Sequence, residues 1–123
     1  LEKSGEFDLS ASGITSLETT LSSLWALHEA GRLSLSTLVR SLVSGPSRVL
    51  HRESPQLMEG AAASFTLIDP NRSWTPSGES LLSKSWNTPF LGQSLRGKVL
   101  MTLHRGALLY QDARLQHDPP RKA

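Results

Sequence analysis

The apolar residues of this chain change their spacing once, near His51, and that change limits what it can fold into. Before it they recur every three or four residues. Leu17, Leu21, Leu24, Trp25 and Leu27 make one stripe, and Leu35, Leu38, Val39, Leu42 and Val43 make a second. After it the pattern shortens. Ala63-Ser64-Phe65-Thr66-Leu67-Ile68 reads as a strand, and Val99, Met101 and Leu103 share one face of a second. Helices therefore come first and strands later. With 123 residues there is room for one ordinary domain.

Local signals punctuate this order. Thr15-Ser16-Leu17-Glu18 has capping-box spacing and predicts a helix start, with an end near Ala30 and Gly31 in a left-handed turn. Ser34 is a candidate N-cap for the second helix, and Ser44-Gly45-Pro46 a stop, with Pro46 opening a further short turn through Leu50. Asp69-Pro70-Asn71 should close the first strand. Residues 71–97 read as an ordered loop tied down by Trp74, Trp86 and Phe90, aromatic surface that is costly to leave in water. Arg105-Gly106 can turn the second strand into a third, Ala107-Leu108-Leu109-Tyr110. Residues 1–13 read as loop, and the Pro-rich residues 116–123 as a disordered tail.

Two helices and three short strands make only a small α+β body, and the strands look like pieces of a larger sheet. A hydrophobic fraction of 37% lies below the ~45–50% of a typical globular domain, although that average also counts Gly, so a self-sufficient fold would not be richly cored. The chain begins at Leu1 without an initiator Met, which reads as the interior of a longer polypeptide.

Several function classes drop out. The 13 basic and 11 acidic residues leave a charge of +2, with no basic face and only one Tyr and three Phe for stacking, which disfavours nucleic acid. The absence of Cys removes disulfides and thiolate metal sites and fits a reducing cytosol. No apolar run approaches the ~20 residues needed to span a bilayer. The histidines His28, His51, His104 and His117 form neither an H-x-H pair nor an HExxH motif, and each reads as a surface or hydrogen-bonded side chain. Gly92-Gln93-Ser94-Leu95-Arg96-Gly97 misses the G-x-S-x-G spacing by one residue and lacks a strand-turn-helix context. Lys84 reads as a surface charge, and Asn87 as a side chain that satisfies backbone groups in a turn.

Five stretches, taken in order, carry a resemblance. Ser12-Gly13-Ile14-Thr15-Ser16-Leu17-Glu18-Thr19 resembles the G-[IF]-x-G-L-E-T segment of class I dihydroorotases. Gly31-Arg32-Leu33-Ser34-Leu35, followed by Ser44-Gly45-Pro46-Ser47-Arg48-Val49-Leu50, is similar to the family's E-G-R-L-S-L and N-P-A-R-I-F. Glu59-Gly60-Ala61-Ala62-Ala63-Ser64-Phe65-Thr66-Leu67-Ile68-Asp69-Pro70 resembles G-A-x-A-D-L-x-L-x-D-P. Ser83-Lys84-Ser85-Trp86-Asn87-Thr88-Pro89-Phe90-Leu91-Gly92 is close to S-K-x-x-N-T-P-F-x-G. Leu103-His104-Arg105-Gly106-Ala107-Leu108-Leu109-Tyr110 looks like V-R-G-x-V-V-Y. Ser16 stands where the family has its second Gly, and Ser64 where it has an Asp.

The resemblance implies an α/β fold: the last loop and outer helices of a TIM-type (β/α)8 amidohydrolase barrel, then strands of a small composite β-sandwich. Residues 1–51 would end the barrel, 52–115 would join the sandwich, and 116–123 would form the tail. It implies the C-terminal part of a cytoplasmic zinc hydrolase of pyrimidine biosynthesis, interconverting N-carbamoyl-L-aspartate and L-dihydroorotate. The zinc ligands and catalytic Asp would precede Leu1, so this segment would hold no metal and be inactive alone. Ser12 and Gly13 would face the substrate, where a residue without a Cβ permits close approach. The implied partners are the missing N-terminal portion, a second subunit in a homodimer, and aspartate carbamoyltransferase. Two other readings stay open: an inactive dihydroorotase-like partner of aspartate carbamoyltransferase, and a related cyclic amidohydrolase such as an allantoinase or hydantoinase.

Overall fold

The structure, a computed structural model, describes residues 13–113. In chain order these form α1 (Thr20–Glu29), α2 (Leu35–Leu42), α3 (Ser44–Val49), β1 (Phe65–Trp74), β2 (Leu95–His104) and β3 (Ala107–Gln111). The strands make one antiparallel sheet in the order β1-β2-β3. The tail expected over 116–123 lies outside the described residues, as does His117.

The helix ends follow from their sequence. Gly31, at φ +70, stops α1: its N–H donates to His28 O and that of Arg32 to Leu27 O, the paired bonds of a Schellman motif. Ser34 caps α2, its hydroxyl accepting from Thr37 N at 3.1 Å. The start of α1 differs from the expected capping box. The helix begins at Thr20, five residues after Thr15, and Glu18 does not reach back to Thr15. Residues 17–19 form a turn instead, and Thr19 and Thr20 donate their hydroxyls to Ser16 O at 3.2 and 2.7 Å. Leu17 consequently stands outside the helix, largely exposed.

Between α2 and α3 the chain breaks at Val43 (φ −119, ψ −76), and Ser44-Gly45-Pro46 lies inside the first turns of α3 rather than ahead of it. Gly45 permits this, since a Cβ there would stand 2.9 Å from the Arg40 carbonyl oxygen.

β1 runs six residues past the expected stop at Ile68. Asp69-Pro70-Asn71 is an irregularity within the strand, between the Asp69↔Lys98 and Ser73↔Arg96 pairs. Pro70, which has no N–H to give a ladder, is tolerated where pairing is interrupted. Asp69 Oδ1 takes the Asn71 N–H at 2.9 Å. The expected loop over 71–97 thus shrinks to 75–94, and Trp74 belongs to a strand. β2 and β3 join through Arg105 (φ 50) and Gly106 (φ 83), a two-residue hairpin with both φ positive, as the Arg-Gly pair predicts.

α1 packs on the sheet through a largely polar junction. Ser22, almost fully buried, donates to Gly97 O at 2.6 Å and accepts from Trp74 Nε1 at 2.9 Å. Beside it the Trp25 ring lies over Gly97. Buried Asp112 binds Arg72 and Lys98, each at 2.8 Å, and Lys98 Nζ lies 5.9 Å from the centre of the Trp74 ring. Among the described residues only Leu38 and Leu81 are buried hydrophobics. An apolar core that small agrees with the lean composition. No helix of the described residues is long and apolar enough to cross a membrane.

Candidate functional site

The turn that carries Gly13 is held by a loop more than seventy residues away. Gly13 has φ +74, a left-handed conformation that L side chains rarely adopt. Its carbonyl accepts from Asn87 Nδ2 at 3.1 Å, and Thr15 N donates to Asn87 O at 2.8 Å. Asn87 therefore grips the turn on both sides of Ile14. Ser12 lies outside the described residues.

Glu18 fastens the other end of the same loop. Its carboxylate accepts from Leu82 N at 3.0 Å, Ser83 N at 2.9 Å and Ser83 Oγ at 2.7 Å. Burial alone would raise its pKa, but the three bonds, led by that from Leu82 N, outweigh it and hold the carboxyl below its ordinary value. The Glu that reads in sequence as a cap is a clasp between segments, and Leu81 beside its partners is buried. Two of the stretches that carry the resemblance, 12–19 and 83–92, thus meet in space.

The sign of the Glu18 shift fixes a pH dependence. A depressed folded pKa contributes stability that is fully present above the unfolded value, near 4.5, and lost as pH falls through the lower folded value. Glu18→Gln replaces one acceptor oxygen by a donor facing N–H groups. At pH 7 it should lower stability by about 1 kcal/mol, solvent screening included. In thermal melts the gap between the two proteins should narrow as pH falls below 4.5. A gap constant from pH 7 to pH 3 would show that the charge contributes nothing.

The remaining candidates are placed as follows. Asn87 satisfies backbone groups, as expected, but on a distant segment. Lys84 is exposed. Trp86, expected to be packed, is 59% exposed, with one ring face against Gly78. His28 Nδ1 bonds Leu33 O at 2.9 Å and its ring meets Trp25 edge-on at 5.0 Å; His51 and His104 are exposed. Among the described residues no group of three or more His, Cys, Asp or Glu could hold a metal ion. The zinc that the resemblance implies therefore does not fit these residues. The arrangement offers a preorganised backbone turn, which binds and orients but does not by itself transfer protons or attack a carbonyl.

No family model matches the chain. Individual relatives do. The dihydroorotase of Pelobacter propionicus is 42% identical over 110 residues, and that of Syntrophus aciditrophicus 39% over 111. That of Aquifex aeolicus is 38% identical over 100 residues. These alignments cover 89%, 90% and 81% of this chain but 26%, 26% and 24% of the relatives, so the chain spans about a quarter of their length. A solved structure of D-hydantoinase superimposes with a TM-score of 0.73 over 86% of this chain and 24% of that one, at 19% identity. That likeness speaks for the fold alone: a mixed α/β segment with a small antiparallel sheet. By its sequence, the chain is similar to dihydroorotases over about a quarter of their length, consistent with a C-terminal segment of such an amidohydrolase.

Proposed function

We propose that this chain is the finishing segment of an active dihydroorotase, which interconverts N-carbamoyl-L-aspartate and L-dihydroorotate. On this reading residues 1–51 close a (β/α)8 barrel and 52–115 supply strands to a β-sandwich shared with the rest of the protein. The observation that carries it is the hold of Asn87 on the Gly13 turn, with Glu18 anchoring the same loop at Leu82 and Ser83, so that two dihydroorotase-like stretches meet. A turn fixed before the ligand arrives spares the ligand the cost of ordering it. This segment's part is to hold the substrate carboxylate at Ser12 and Gly13. The hydrolytic centre, zinc included, belongs to the portion outside this chain.

The test is an assay of the full-length protein, supplied with zinc, against N-carbamoyl-L-aspartate, L-dihydroorotate, hydantoin and allantoin. Turnover of the first two, preferred by roughly a hundredfold or more in kcat/KM over the others, is the expected result. Preference for hydantoin or allantoin would replace this reading by that of a related cyclic amidohydrolase. A folded protein that turns over none of them would leave the inactive partner role in its place.

A further inference from the structure

We draw no further inference here: the strongest candidate, the open apolar groove between the α2–α3 helices and the hairpin end of the sheet, lined by Leu42, Leu50, Phe65, Leu103 and Leu109, is an unpartnered face, and nothing in the structure shows what covers it.

Discussion

Replacing Gly97 by Ala should cost about 3 kcal/mol of stability and loosen α1 from the sheet. Two costs add. Gly97 has φ +82, where a Cβ costs roughly 1–2 kcal/mol. That Cβ would also stand 3.1 Å from Trp25 Cγ and 3.3 Å from Trp25 Cβ and Cδ1, and overpacking of this kind costs about 1–3 kcal/mol. The indole cannot retreat cheaply, because α1 is pinned at the same place. Ser22, one turn earlier, donates to Gly97 O and receives Trp74 Nε1, so moving the helix leaves buried polar groups without partners. Gly92→Ala is the control. Gly92 also has positive φ (+75), but nothing in the described structure lies within 4 Å of its Cβ position. It should lose only the conformational part, about 1 kcal/mol. Melts of the full-length protein carrying each change decide the matter: equal losses at both glycines would mean that the Trp25 contact contributes nothing.

The sequence made the helices legible where a backbone need has few solutions. Gly31 and Ser34 mark an end and a start, and Arg105-Gly106 a hairpin, because left-handed residues and cap hydroxyls act within one turn of chain. It misled where a local signal was answered by a distant group. Thr15 to Glu18 has the spacing of a capping box, yet the Glu18 carboxylate binds N–H groups 64 and 65 residues away. Capping requires only that some donor be near, and tertiary packing supplied better ones. Pro70 misled in the opposite sense: it reads as a strand end, but an irregularity in the pairing lets the strand continue. The candidate site was half visible. Gly13 and the stretch containing Asn87 could be singled out by resemblance, but that they touch depends on the loop 75–94 folding back onto residues 13–18 ahead of α1, which no local spacing encodes. The Ser22–Gly97–Trp74 junction left no trace in sequence either, since serine in a helix usually reads as surface.

Changing Leu35, Val39 and Leu42 together to Ser should destabilise the full-length protein by about 2–4 kcal/mol more than it destabilises the isolated chain. Leu35 and Val39 are each 49% exposed and Leu42 is 38% exposed, although they share a helix with Leu38, which is 3% exposed. Within this chain, then, the stripe of α2 fully buries one residue and leaves its neighbours about half exposed. Full burial of such side chains is worth about 1.5–3 kcal/mol each, and removing half-exposed ones loses only part of that. Val43, Val49 and Leu50 continue the apolar surface along α3, and a patch this continuous marks a surface that something covers. If the rest of a dihydroorotase is what covers it, the isolated chain should bind a hydrophobic dye and self-associate, and the triple change should reduce both. Leu38→Ala sets the internal scale: its buried side chain should cost about 2–5 kcal/mol in either context. Dye fluorescence, sedimentation and melts on the two lengths of protein give the comparison. A triple variant equally destabilising in both would mean that α2 already packs its whole stripe within these 123 residues, and the proposed barrel would lose its claim on that face.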